Sequence, residues 1–398
     1  MMPQMHTPGV YLPELTGLPA PVDVPTSITA FVGRTVRGPG GEPVEVNSWA
    51  EYEATFGGLD QASVVSWQVR AYFDNGGAQA LVVRLVSAGG EAAPLTVADW
   101  LGDPSAKTGL YALERAAGFN ILCVPPDALN GDTPPEVLQV AADHCTQRGA
   151  MLIIDPPAKW QALYEAGQTA QISLNDLGAF SADAAQSSAV YFPRVQSIDP
   201  RDGTTARTLP NCGCVAGIWA RTDIETGVWK APAGLDATLN GISGLAVRLT
   251  DAENGILNPL GINCLREFAG VGPVVWGART LRGADPWTDD YKYVPVRRLS
   301  LYIQSWLKVN TAWAAFEPNG PALWARLTAQ VSDFLNGPWE QGALFGARPD
   351  DSYSVRCDAS TTAAEDLAEG VANVQIAFAP VKPAEFIILT VAVRTAQD

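Results

Sequence analysis

Histidine is nearly absent from these 398 residues; the two present are His6 and His144. A metal site built from several imidazoles is therefore excluded, and most histidine-based acid–base chemistry lacks an agent. Charged residues are also scarce at 17%, against about 25% in an average soluble domain, so much of the surface must be weakly charged or covered. Positive charge is the scarcer sign: 26 Lys and Arg stand against 42 Asp and Glu, a formal net charge of −16. No nucleic-acid partner is expected of such a chain, because neutralising phosphates takes a basic stripe. Long apolar runs are missing too. The strongest, Phe386 to Val393, has eight residues, well short of the ~18–20 a membrane helix requires, so no direct membrane insertion is expected. The first ten residues show no basic segment followed by an apolar one, as a secretory signal would. The expected setting is a soluble protein made in a cytoplasm.

Cysteine is sparse and unpatterned. Cys123, Cys145, Cys212, Cys214, Cys264 and Cys357 read as thiols of a reducing compartment. Cys212-Gly213-Cys214 is not C-x-x-C and has no second pair at zinc-finger spacing. His144 sits between Asp143 and Cys145 in a helical stretch, where adjacent side chains do not face each other, so no Cys–His dyad forms there. The glycine clusters at 38–41, 57–58, 76–77 and 89–90 match neither G-x-G-x-x-G nor a P-loop and read as turns. Asp289-Asp290 and Asp350-Asp351 lie in turn-rich sequence and read as solvated loops. No catalytic residue, cofactor or metal site is expected.

What the chain has in quantity is turn formers: 37 Gly and 30 Pro, which argue against a long helical bundle. Six prolines fall within the first 25 residues, where fixed φ values and extended predecessors make an arm rather than a folded unit. Val10, Tyr11 and Leu12 are its apolar centre and need a sheet edge of another element or another subunit to cover them. From Ser27 the text becomes that of a folded domain. Ile28, Ala30 and Val32 alternate with Thr29, Phe31 and Gly33 in a strand. Helices follow near Trp49 to Phe56 and from Val64 to Phe73, then strands at Ala80 to Val86 and Phe119 to Val124. A helix from Pro134 or Pro135 to about Arg148 precedes a strand at Met151 to Asp155. Strands alternating with helices predict βαβ units and a mostly parallel sheet, hence an α/β class. Stretches 158–183 and 199–210 read as surface loops or short helices.

Turn residues near 279–290 place a domain boundary, dividing the chain into an arm (1–25), an α/β domain (26–280) and an α+β domain (281–398). Tyr302, Trp306, Val309, Trp313 and Phe316 recur at spacings of 4, 3, 4 and 3, the stripe of one amphipathic helix ending at Glu317-Pro318. A second helix from Pro321 carries Trp324, Leu327, Val331 and Phe334 and stops at Asn336-Gly337-Pro338. Strands follow at Ser352 to Cys357 and Val371 to Ala379, separated by an acidic loop at 360–370. The closing strand carries Phe386, Ile387, Ile388, Leu389, Val391 and Val393. Arg297, Arg298 and Lys308 on the first helix and Arg326 on the second are basic residues in an acidic chain. The three on the first helix form either an ordinary solvated face or a recognition surface for an acidic partner.

The order of several segments resembles the contractile tail sheath proteins of phages and phage-like particles. They are Thr7-Pro8-Gly9-Val10-Tyr11, Val24 to Thr35, Phe56-Gly57-Gly58-Leu59, Phe73-Asp74-Asn75-Gly76-Gly77, Ile256 to Asn263, Val275 to Leu281, Phe316-Glu317-Pro318-Asn319 and Pro380 to Phe386. The resemblance implies a structural subunit that polymerises helically around an inner tube and contracts to drive it through an envelope. It also implies a subtilisin-like central fold without protease chemistry, an outer central domain and an inner, tube-facing C-terminal domain. Both terminal arms would exchange strands with neighbouring copies. The implied partners are further copies, the inner tube protein, and baseplate and terminator or cap proteins, assembled in a bacterial host cytoplasm. Arg297, Arg298, Lys308 and Arg326 are the tube-facing candidates. The rival readings are an α/β-hydrolase-like enzyme and another tail or baseplate component.

Overall fold

The structure is a computed structural model and describes residues 20–385. Val10, Tyr11 and Leu12, and Phe386, Ile387, Ile388, Leu389, Val391 and Val393, lie outside the described residues.

Short β-branched and aliphatic runs bounded by Gly, Pro or Asn form the strands. In chain order they are β1 (Thr29–Gly33), β2 (Pro43–Val46), β3 (Ala80–Arg84), β4 (Ile121–Cys123), β5 (Met151–Ile154) and β6 (Ser188–Phe192). β7 (Val195–Ile198), β8 (Ala206–Leu209) and β9 (Gly244–Leu245) form a small satellite sheet, and β10 (Asn263–Phe268) and β11 (Gly272–Trp276) return to the main one. The main sheet has the order β11-β10-β6-β5-β4-β1-β3-β2. Its six inner strands are parallel, and β11 and β2 are antiparallel edges.

Prominent among the helices that cover it are α1 (Trp49–Phe56), α2 (Val64–Asp74), α3 (Pro135–Arg148) and α4 (Cys212–Glu225). Strand alternation sends Ala30, Val83, Leu122, Leu152 and Val190 into a core shared with α3. Phe31, Val82, Ile121, Ile153 and Tyr191 enter a second core with α1, α2 and α4. All five residues of β1 are buried. The alternation read around Ala30 and Phe31 thus marks two dry faces, as expected of a parallel sheet with helices on both sides.

The α2–α4 contact is set by two glycines four residues apart. A Cβ on Gly213 would lie 2.1 Å from the Gln68 carbonyl oxygen, and one on Gly217 would lie 2.6 Å from that of Tyr72. The stretch 199–210, expected as surface loop or short helix, contains β8, paired antiparallel with β7. The stretch 158–183 holds the helix Ala158–Glu165 and begins another, Ala182–Gln186.

Beyond residue 281 come α5 (Val294–Asn310), α6 (Pro321–Glu340), and the strands β12 (Tyr353–Arg356) and β13 (Gln375–Phe378). The acidic stretch between those strands includes a short helix, Ala364–Ala368. The aromatic stripe is not one helix. α5 ends at Asn310, Trp313 lies in a 3-10 turn, Val309 is half exposed, and Phe316 is fully exposed at φ 69°. Spacing alone cannot see the chain turn at Asn310, because turn and helix both continue the 3–4 rhythm. Nor does α6 stop at Gly337-Pro338. It continues to Glu340, since a proline this near the end removes a single helical hydrogen bond. The last turn also places Trp339 to donate from Nε1 to the Gly346 carbonyl.

α5 serves two cores at once. Val294 and Leu301 join the second core of the main sheet, whereas Leu299 and Ile303 join Val331, Leu335 and Leu344 in a C-terminal core.

Candidate functional site

The chemically suggestive side chains are spread out, and the cysteines and His144 are enclosed. All six cysteines are unbonded and buried. Burial pushes the Cys214 and Cys264 thiols up to about 12. His144 lies between Phe119, stacked at 6.0 Å between centroids, and Tyr111, edge-on at 6.1 Å. Burial, with Arg148 nearby, pulls its pKa below the ordinary histidine value. Asp289 accepts from Arg282 Nε at 2.9 Å and from the Tyr291 backbone N–H. Asp350 and Asp351 occupy the first turn of the short helix Pro349–Ser352, with Asp351 paired to Arg348. Among the described residues no group of three or more His, Cys, Asp or Glu side chains is placed to hold a metal ion.

The structure separates the four basic candidates into two kinds. Arg297 and Arg298 do not line a solvated face: they are 9% and 4% exposed. Arg298 falls on the i, i+4, i+7 stripe of Val294 and Leu301, so the contact that buries those residues buries it as well. Its Nη1 and Nη2 meet Asp223 at 2.7 and 2.6 Å, and the guanidinium lies 4.9 Å from the Trp219 ring centroid. Arg297 donates to Ser187 Oγ at 3.1 Å and covers the Tyr291 ring. Arg298 thus fastens α5 to α4, and Arg297 fastens it to Ser187 at the entry of β6. As surface residues for a partner they are corrected by this burial.

Lys308 and Arg326 are exposed. They flank the connection 311–320 between α5 and α6, Lys308 in the last turn of α5 and Arg326 in the second turn of α6. Arg326 lies over the Trp313 ring at 4.2 Å and reaches Glu317 at 3.4 Å. The same hairpin tip presents Val309 and Phe316 to solvent.

Both ends of the described chain are held at α5. Val22 donates its N–H to Asn310 Oδ1 at 2.6 Å, and its carbonyl accepts from Asn310 Nδ2 at 3.0 Å. Four residues on, Thr26 gives its carbonyl to Arg298 and its hydroxyl proton to Asp223. At the other end Glu385 accepts from Arg279 Nε at 2.7 Å, Arg279 Nη2 at 2.5 Å and the Tyr293 hydroxyl at 3.2 Å. Sequence reasoning passed over Asn310, Asp223, Arg279 and Tyr293. A usable signal existed for Asn310, a polar residue four beyond Trp306 and seven beyond Ile303 on a buried stripe. None existed for Asp223, whose partner is 75 residues away.

The sheet β12–β13 has two strands, joined by Tyr353 opposite Phe378 through Arg356 opposite Gln375. One face rests on the C-terminal core through Tyr353, Val355, Ile376 and Phe378. Its outer backbone edges have no partner among the described residues. By contrast the β11 edge of the main sheet is covered by the segment 234–239, which bonds to Val275 and Pro273. The β2 edge carries Pro43 and Glu45, residues that discourage strand addition.

Comparison with known proteins adds the following. The family described as phage tail sheath protein central domain matches residues 101–281, and that described as phage tail sheath C-terminal domain matches residues 287–394. The chain is 29% identical over 196 residues to the tail sheath protein of Vibrio phage KVP40, covering 48% of this chain and 28% of that protein. It is 27% identical over 197 residues to the tail sheath protein of Enterobacteria phage T4, again covering 28% of the relative. The chain thus spans little more than a quarter of these two curated relatives. Among solved structures it is similar to the contracted helical sheath of the anti-feeding prophage, at 28% identity and a TM-score of 0.74. That likeness covers 98% of this chain and 99% of the other.

Proposed function

The chain belongs to the phage tail sheath family, and from that premise we propose that it is the subunit of a contractile sheath. Copies polymerise helically around an inner tube, contract, and drive the tube through a target envelope. The observation that carries this reading is the likeness, along nearly the whole chain, to a subunit taken from a contracted helical sheath. The role is mechanical and involves no catalytic step.

In this reading residues 26–280 are the outer domain and residues 281–398 the inner, tube-facing one. The segments 1–25 and 386–398 exchange with neighbours through Val10, Tyr11 and Leu12 at one end and Phe386, Ile387, Ile388, Leu389, Val391 and Val393 at the other. The two edges of β12–β13, unpaired among the described residues, support this. A lone two-stranded sheet is marginal in water, and each edge is a template for one added strand. Cross-strand pairs contribute only ~0.2–1 kcal/mol each, but they recur in every subunit and tether neighbours while domains rotate. The sheath meets a baseplate at one end and a terminator or cap protein at the other, and is assembled in the host cytoplasm. With Arg297 and Arg298 buried, the tube contact falls to Lys308 and Arg326 at the α5–α6 tip, facing an acidic tube surface.

Negative-stain electron microscopy of the chain expressed alone and with its neighbouring operon products tests the proposal. The expected result is hollow cylinders with a striated wall, narrower around a tube than when empty. Dispersed monomers under both conditions would overturn it.

A further inference from the structure

Two polar clamps stand at opposite ends of one helix, and each grips the root of one terminal segment. Asn310, the last residue of α5, holds Val22 through two hydrogen bonds of its side-chain amide, as a neighbouring strand would hold a backbone peptide. Tyr293 immediately precedes α5 and, with Arg279, holds the Glu385 carboxylate. Seventeen helical residues at 1.5 Å per residue separate the clamps by about 25 Å.

Each gripping side chain is itself fixed. Asn310 is 8% exposed and also donates to the Trp306 carbonyl. Arg279 is 1% exposed and also donates to the carbonyls of Asn258 and Gly283 and to Asp285 at 2.8 Å. Between the clamps, α5 is fastened to α4 by Arg298–Asp223 and to α6 by Trp306 stacked on Phe334 at 3.9 Å. The helix therefore cannot rotate or slide without breaking buried polar contacts.

We infer that α5 is a strut that fixes the distance and departure points of the two arms, with Asn310, Arg279 and Tyr293 as its positioning residues. The inference rests on the reading that the arms are exchanged between copies. A lattice joined through arms repeats accurately only if every copy launches both arms from the same points. The core alone does not secure this, since Val22 is 60% exposed and its hold on the body runs through its backbone.

The test uses the full chain with Asn310→Ala, Glu385→Ala, Glu385→Gln and the double variant Asn310→Ala/Glu385→Ala. Two quantities are read: the melting temperature of unassembled protein, and the yield and helical order of cylinders by electron microscopy. Glu385→Ala is expected to lower melting only slightly, because Arg279 Nη1 keeps Asp285 and two carbonyls and water can replace the Glu385 carboxylate, which is 17% exposed, at Nε and Nη2. Cylinder yield should fall by about tenfold or more, the scale of a lost charge-assisted hydrogen bond in each subunit, and surviving cylinders should lose helical order. Glu385→Gln, which keeps the shape and one acceptor, should restore part of the yield, and the double variant should be worst. If Asn310→Ala lowers melting, the two Glu385 variants decide the matter. Wild-type yield and order in the Glu385 variants would overturn the strut. Failure of the wild-type chain to form cylinders would overturn the sheath reading instead.

Discussion

Arg298 and Asp223 form a two-pronged ion pair, with contacts of 2.7 and 2.6 Å, between side chains that are each 4% exposed. The pair joins α5 to α4 across 75 residues of sequence and receives the Thr26 backbone and hydroxyl at its rim. A buried pair of this kind adds little over a well-packed apolar one, but half of it alone is costly.

Arg298→Ala should therefore lower unfolding free energy by about 3–5 kcal/mol, because it leaves the Asp223 carboxylate buried and unanswered. Arg298→Met combined with Asp223→Leu should recover most of that loss. Urea unfolding of Arg298→Met, Asp223→Leu and the double variant checks the non-additivity.

Gly217→Ala should cost about 1–3 kcal/mol or more, since its Cβ would lie 2.6 Å from both the Tyr72 carbonyl oxygen and the Asn75 Cβ. Gly255→Ala, where nothing lies within 4 Å, is the control and should be tolerated. Denaturant midpoints measure both.

The native chain should resist a thiol-specific disulfide reagent at mildly alkaline pH. Every cysteine is buried, and the thiols of Cys145 and Cys212 are pushed well up by burial. In strong denaturant all six should react, and the ratio of the two absorbance end points is the readout.

Acid should weaken the fold through His144. Its Nε2 is buried without a hydrogen-bond partner, and burial, with Arg148 nearby and Glu114 opposing, lowers its folded pKa. The unfolded chain then binds more protons below about 6.5. The stabilising contribution is full above that pH and declines as pH falls toward the lower folded value. His144→Phe, flanked by Phe119 and Tyr111, should flatten this slope and cost little at pH 7. Melting temperatures from pH 8 to 5 give the comparison.

Lys308→Glu with Arg326→Glu should cost about 1 kcal/mol of stability, through the lost contacts of Arg326 with Trp313 and Glu317. It should reduce sheath assembly on tubes, most clearly at low salt, where exposed charges are least screened. Undiminished co-sedimentation with tubes at low and physiological salt would remove these two residues from the tube contact.

Much of this protein was written locally. Runs such as Ala80 to Arg84 and Met151 to Ile154 are strands because short apolar sequences bounded by turn formers have few other ways to bury themselves. Pro135–Arg148 is a helix because proline opens it, Gly149 closes it in the left-handed region, and the pattern between repeats at helical spacing. Those signals lie within a few residues of the structure they specify. The course of the chain at Asn310, the passage of α6 through Pro338 and the meaning of Gly213 and Gly217 did not. Each depends on what stands opposite: Val22, the C-terminal core around Trp339, and the backbone of α2. The four arginine and lysine candidates looked alike in sequence because charge is a property of the residue. Tertiary packing alone made Arg297 and Arg298 internal fastenings and left Lys308 and Arg326 in solvent, because burial is a property of the contact.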